Sequence, residues 1–194
     1  MIEWRGPLPT SNYTRERQGN PINLIVIHWV GIGTLESAEA RFKKPNEKSS
    51  AHYGIGQDGH IWQWVAEYDT AYHCGNWTKN LLSIGIEHEA TTTQLPSEEL
   101  YRRSAWLVGD IAKRYGIPLD RQHIIQHKEI KPTQCPGTVD IDRIIREAKV
   151  EYITREEFEQ YQRDVRDSLD AIKTAINPVI AFYLKIKEFF SVQV

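Results

Sequence analysis

Residues 22–30 constrain this chain more than any other stretch. They are almost unbroken in apolar and β-branched side chains, which suits a buried strand. A buried strand must be covered by other layers of secondary structure. Yet this one carries an imidazole, His28, near its C-terminal end. That end of a strand is where open α/β sheets place their chemistry.

The other patterns fill in such a fold. Residues 82–90 repeat the apolar, β-branched character. Residues 51–57 and 60–66 read as two short strands joined by Gln57-Asp58-Gly59, and an Asp-Gly pair between apolar alternations is a strong hairpin signal. Ser97 can cap a long amphipathic helix to Tyr115, with Glu98 and Glu99 in its first turn and Gly116 just past its end. Shorter helices are expected over 37–42 and 140–149, and Ile124-Ile125 reads as a strand leading to His127. Residues 1–20 are polar and rich in turn formers and read as an ordered surface arm; 43–50 read as a charged loop. The class is α/β, with a mixed central sheet flanked by helices. A chain of 194 residues fits one domain plus an appendage, here 1–150 and 151–194.

The last stretch changes character. Thr154 to Glu157 matches a capping box. Phe158, Val165, Ile172, Val179 and Ile186 then recur every seven residues. Leu169, Ile176, Tyr183 and Phe190 do so on the neighbouring seam, with Gln162 the one polar exception. Seams of this period favour helix-on-helix packing. Asn177 followed by Pro178 makes a good N-cap and first-turn pair, so two helices are expected, about 154–176 and 178–190. They either pack back on the first domain or serve homo-oligomerisation or docking on a partner, because an exposed seam of that length is a liability. A membrane surface fits less well, since the polar face is mixed in charge rather than basic.

Composition excludes some functions. A net charge of −2 gives no electrostatic case for nucleic-acid binding. No run of about eighteen apolar residues occurs, so no transmembrane helix is expected. The start, Met1-Ile2-Glu3-Trp4, lacks the basic region and apolar stretch of a signal peptide. Synthesis in a cytoplasm is therefore expected, with any action on a cell wall following release. Six tryptophans and nine tyrosines either pack the core or line a groove for sugars or peptides.

The candidate chemistry lies in three residues. His127 and Cys135 stand eight apart in a loop whose Pro132, Pro136 and Gly137 let it fold back. Imidazole and thiolate are ligands zinc prefers, and with His28 they make three, leaving a fourth tetrahedral position open for water. Taken alone, either histidine is more simply a core residue. Cys74 is a small buried residue, or it bridges Cys135 and abolishes the site. Glu87 ends the run Ser83-Ile84-Gly85-Ile86-Glu87 and is the preferred carboxylate base, with a structural ion pair as its plainer use. Glu89 shares its strand face and is the runner-up, whereas His88 points to the opposite face. His52 and His60 flank the hairpin and read as surface groups or as supports behind the ligands, and His123 as exposed. No His-Glu-x-x-His helix of the common zinc peptidases is present.

Several segments resemble the zinc-dependent N-acetylmuramoyl-L-alanine amidases, the family of phage-lysozyme amidases and peptidoglycan recognition proteins. They are Ile25-Val26-Ile27-His28-Trp29, Ser50-Ala51-His52-Tyr53-Gly54-Ile55, Asp58-Gly59-His60-Ile61-Trp62-Gln63, Ala71-Tyr72-His73-Cys74-Gly75, the run to Glu87, and Gln126-His127 through Cys135-Pro136-Gly137. Their order spans roughly residues 20–148, one domain's worth of chain.

The resemblance implies Zn2+ on His28, His127 and Cys135, Glu87 as base, and His73 beside the substrate. It implies cleavage of the amide between N-acetylmuramic acid and the L-alanine of peptidoglycan stem peptides. Two positions depart from the family. Ala51 stands where some members carry a catalytic tyrosine, and Tyr53 does not inherit that role. Thr133 stands where many carry a lysine, so the oxyanion falls to the Thr133 hydroxyl or to nearby Lys131. The expected biology is a phage endolysin, with a muropeptide-recycling amidase and a non-catalytic recognition module as alternatives.

Overall fold

A computed structural model of the chain describes residues 1–151 and 155–191. It divides into two compact units, Met1–Tyr152 and Ile153–Val194. The first holds strands β1 (Ile2–Trp4), β2 (Tyr13–Thr14), β3 (Leu24–Gly31), β4 (Tyr53–Ile55), β5 (Ile61–Gln63), β6 (Thr70–Ala71), β7 (Ser83–Thr91) and β8 (Ile124–Gln126). Its helices are α1 (Leu35–Phe42), α2 (Trp77–Leu82), α3 (Glu98–Tyr115) and α4 (Ile141–Glu151).

Six strands form one sheet in the order β1-β5-β4-β7-β3-β8. β3 is parallel to both β7 and β8, β4 is parallel to β7, and β4 turns back antiparallel into β5. The mixed α/β class is as expected. The hairpin closes on Asp58-Gly59, with Gly59 at φ +83°, a left-handed conformation that glycine adopts freely.

Alternation along the central strands sorts their side chains into two layers. Ile25, Ile27, Ile84 and Ile86 pack with Leu100, Leu107, Val108 and Ile111 of α3 and Ile144 of α4. Leu24 and Val26 face the other way, with Ile125. On that second side Leu35 and Phe42 of α1 pack with Trp62 and Trp64. α3 begins at Ser97, whose side chain accepts from Leu100 N–H, and ends at left-handed Gly116, as its sequence signals require.

The N-terminal segment differs from expectation. It is no surface arm: β1 extends the sheet beside β5, β2 pairs with β6, and Leu8, Asn12 and Arg17 are buried. The reason lies at the end of α2, which runs directly into β7 and leaves carbonyls without helical partners. Arg17 Nη1 donates to the carbonyls of Asn80 (3.2 Å), Leu81 (2.9 Å) and Ser83 (3.0 Å), and Nε to Glu67 (2.6 Å). Burial lowers the Arg17 pKa to about 10.

The tail also differs. One helix, α5 (Arg155–Ser191), runs through Pro178 instead of breaking there. Proline removes one amide N–H, and so the helical partner of the Thr174 carbonyl. Residues 158–178 are exposed, so water can satisfy that carbonyl while the seven-residue seam continues on both sides. The expected cap at Thr154 lies outside the described residues, as do the side chains of Val179, Tyr183, Ile186 and Phe190. Among the described residues no helix is long and apolar enough to cross a membrane.

Candidate metal centre

The parallel register of β3 and β7 sets His28 opposite Glu87. Both leave the sheet on the face of Val26, away from α3, because their neighbours Ile27 and Ile86 take the other side. His88 follows Glu87 onto the α3 side, donating through Nδ1 to the His28 carbonyl (2.8 Å) and meeting Ser104 Oγ at Nε2 (2.7 Å). β8 borders β3 on its other edge and delivers His127 in a single 3-10 turn, His127–Glu129. The loop then folds back: Lys128 N–H donates to the Cys135 carbonyl (3.0 Å), and Trp29 N–H donates to Cys135 Sγ (3.4 Å).

Ligand atoms of His28, His127 and Cys135 come within 4.8 Å of one another. Their hydrogen bonds fix how the rings present themselves. His28 Nε2 lies 2.9 Å from His73 Nδ1, His73 Nε2 lies 3.0 Å from Ser83 Oγ, and Ser83 Oγ donates to the Lys79 carbonyl (2.6 Å). A carbonyl only accepts. Protons therefore run one way along the chain, from Ser83 to Lys79, His73 to Ser83 and His28 to His73. That leaves the lone pair of His28 on Nδ1, 3.6 Å from Cys135 Sγ. His127 Nε2 faces the Cys74 carbonyl at 3.2 Å, so its free lone pair is also on Nδ1. Metal-ligating histidines are oriented by such second hydrogen bonds.

The electrostatics match a cation. Burial, with like-charged histidine neighbours, pushes the His28 pKa well below its ordinary value, keeping the ring neutral. Burial also raises the Cys135 thiol to about 12, with the Glu87 charge adding to it, and raises the Glu87 carboxyl to about 8, opposed by Arg41. Glu87 Oε2 is buried with no hydrogen-bond partner among the described residues. Two acidic groups held from ionising beside neutral imidazoles fit a site completed by a positive ion, and the N,N,S donor set suits zinc.

The same groups wall a cavity of about 460 Å3, which also takes in Arg41, Ser49 and Thr133. Thr133 is exposed and accepts from Cys135 N–H at 3.2 Å. Lys131 lines a neighbouring groove of about 540 Å3 with Tyr72, Gly75 and Trp77; His73 and His127 border both. His73 has both ring nitrogens committed to His28 and Ser83, so only its ring surface is left to a substrate. Glu89 accepts from Gln57 N–H (3.0 Å) and Tyr53 donates its hydroxyl to Glu67 (2.8 Å), and neither lines the cavity that holds His28, Glu87 and Cys135. Cys74 and Cys135 are free thiols. His52 is buried behind His73, its Nδ1 accepting from Gly85 N–H (3.0 Å). His60 pairs with Asp58 at the hairpin, and half-buried His123 with Asp120.

Sequence reasoning missed Arg41 and the Ser83 relay. One signal did exist. A Cβ on Gly85 would sit 2.5 Å from the His73 ring, and glycine inside a strand marks such close approaches.

A family model described as N-acetylmuramoyl-L-alanine amidase matches residues 18–138, more than half of the chain. No curated protein matches the chain in sequence. Among solved structures, the N-acetylmuramoyl-L-alanine amidase LysC from Clostridium intestinale is 19% identical with a TM-score of 0.60, covering 78% of this chain and 97% of its own. A selenomethionine derivative of AmpD is 23% identical with a TM-score of 0.61, covering 75% and 93%. A mutant endolysin from Bacillus subtilis is 20% identical with a TM-score of 0.62, covering 76% and 98%. At these identities the solved structures speak for the fold, and the family match speaks for the chemistry: the chain belongs to the N-acetylmuramoyl-L-alanine amidases, enzymes of peptidoglycan.

Proposed function

We propose that this amidase is a zinc enzyme that hydrolyses the bond between the lactyl carbonyl of N-acetylmuramic acid and the L-alanine nitrogen of the stem peptide. One observation carries the reading: a one-way hydrogen-bond chain leaves the lone pair of His28 on Nδ1, facing Cys135, and the Cys74 carbonyl leaves that of His127 on Nδ1, beside a buried oxygen of Glu87 unpartnered among the described residues. His28 Nδ1, His127 Nδ1 and Cys135 Sγ would hold the ion. Zinc bound there supplies a Lewis acid for the scissile carbonyl and lowers the pKa of water.

The chain's own groups do the rest. Glu87 takes the proton of the attacking water and returns it to the departing L-alanine nitrogen. The C–N bond breaks, releasing a free amine and a lactyl carboxylate. The Thr133 hydroxyl, on the same cavity, donates to the developing oxyanion. Lys131 lies in the adjoining groove and serves substrate binding. His73 positions His28 and offers its ring surface to the substrate.

The catalytic region is 1–150, and the helical region 151–194 serves interaction or targeting. We read the biology as a phage endolysin, made in a cytoplasm and acting on the wall at host lysis, because solved structures of this fold include proteins described as endolysins.

The test incubates zinc-loaded protein with intact sacculi, with and without chelator, and assays for stem peptides bearing L-alanine N-termini. Chelator-sensitive release is expected, and Cys135→Ser should lose zinc and release together. Release from soluble muropeptides alone would turn the reading to a recycling amidase. Full activity of a zinc-free protein would overturn the metal mechanism.

A further inference from the structure

Helix α5 carries an apolar face along its seven-residue seam. Phe158, Val165, Leu169, Ile172 and Ile176 are each between 40% and 54% exposed. At 37 residues the helix is about 55 Å long. Helices of this kind owe their stability in water mainly to burying an apolar face.

The spacing decides what buries it. In heptad terms Phe158, Val165 and Ile172 fall at d positions, and Gln162, Leu169 and Ile176 at a. A sustained seven-residue repeat winds a helix left-handedly around a partner of the same repeat. Another copy of this chain brings that repeat in matching register. Gln162 then selects the alignment. With helices parallel and in register its amide meets the same amide in the neighbouring copies, where donors and acceptors pair. In a shifted alignment it is set against an apolar side chain and left unsatisfied.

The flanks agree with this alignment. Parallel packing sets each g residue beside the e residue five positions on in the next copy. Tyr161 thus lies by Arg166, ring against guanidinium, and Ser168 by Lys173. No like charges are opposed. Tyr161 and Ala175 also widen the apolar face beyond the a and d seams, and in the central heptad Leu169 at a with Ile172 at d favours roughly three or four strands over two.

We infer that the α5 helices of more than two copies assemble into a parallel, in-register bundle through the seam from Phe158 to Ile176. On the reading that the substrate is the polymeric wall, the bundle presents several catalytic units to one surface and raises their effective concentration there.

Light scattering on the full chain measures this without reference to activity. A mass of at least three chains is expected. The double variant Leu169→Glu, Ile172→Glu should run as a monomer and cleave a soluble muropeptide as the native protein does, while losing rate on intact sacculi. Gln162→Cys under mild oxidant should give a band at twice the chain mass on a non-reducing gel, absent from the native chain with its two buried thiols. A native monomer overturns self-association, whatever else covers the helix. A native dimer overturns the bundle order, and absence of the Gln162→Cys band overturns the parallel register. Inactivity in a protein of the expected mass counts against the amidase reading alone.

Discussion

Removing the His73 ring tests the hydrogen-bond logic of the metal centre. In His73→Ala the buried His28 Nε2–H loses the acceptor that lies 2.9 Å away. The His28 proton is then free to move to Nδ1, the nitrogen that faces Cys135, where it would block ligation. Leaving a buried donor unpaired costs about 1–3 kcal/mol, which corresponds to a roughly 5- to 150-fold loss in metal affinity at 1.36 kcal/mol per decade. Losses of about 10- to 100-fold are the measured range for outer partners of ligating histidines. His73→Gln, whose amide oxygen can accept, should recover part of the loss. The assay is competition against a chromophoric zinc chelator, with circular dichroism and melting in excess chelator to show that the variant is folded. A folded His73→Ala protein that binds zinc as tightly as the native chain would refute the reasoning.

Glu87→Gln should cut the rate by about 100- to 10,000-fold with zinc stoichiometry intact, and a rate near native would remove Glu87 from the proton transfers. Arg17→Met should lower stability by about 3 kcal/mol, because the carbonyls of Asn80, Leu81 and Ser83 lose their donor. An unchanged melting temperature would show that water or relaxation replaces it. Glu39 titrates at about 2, below its ordinary 4.5, chiefly because Arg5 hydrogen-bonds it. A carboxylate depressed in the folded state gives stability that is present above pH 4.5 and lost as pH falls through 4.5 toward 2. Glu39→Gln should therefore flatten that acid limb of melting temperature against pH, and an identical limb in variant and native would sink the assignment.

Local pattern made the sheet and its reactive ends legible. The β-branched runs gave β3 and β7, the Asp-Gly pair gave the hairpin, and Ser97 with Gly116 gave α3. The pattern of His28, Glu87, His127 and Cys135 could be read because His28 and Glu87 are polar residues inside apolar, β-branched runs, His127 follows a short strand and Cys135 lies in a turn-rich loop. Two of the misreadings share one cause, which is a partner outside the residue's own segment. Residues 1–20 read as a surface arm because the carbonyls that Arg17 satisfies lie more than sixty residues on. The missed helix α2 is six residues long, too short to show a period. His73 looked like a substrate group because nothing in its own segment reveals the Ser83 hydroxyl behind it. At Pro178 a local stop signal lost because the helix is exposed there, so water can take the carbonyl that the proline leaves without a donor.

The sheet explains why so few residues suffice for the centre. His28, Glu87 and His127 issue from three consecutive strands, β7-β3-β8, so backbone pairing alone sets their lateral spacing. The parallel register places His28 level with Glu87, and a slip of one residue would turn either side chain into the α3 layer. Only Cys135 depends on a loop, and that loop is tied to β3 at Trp29 N–H and closed on itself at Lys128. Arg41, Thr133 and Lys131, by contrast, are exposed residues outside the sheet. On the proposed reading the groups that would hold the ion are thus set by the rigid layer, while Arg41, Thr133 and Lys131, which line the cavity and the adjoining groove, sit on elements that can change without disturbing it. The departures from the family pattern at Ala51 and Thr133 fall in segments outside the strands, which is where this division of labour tolerates them.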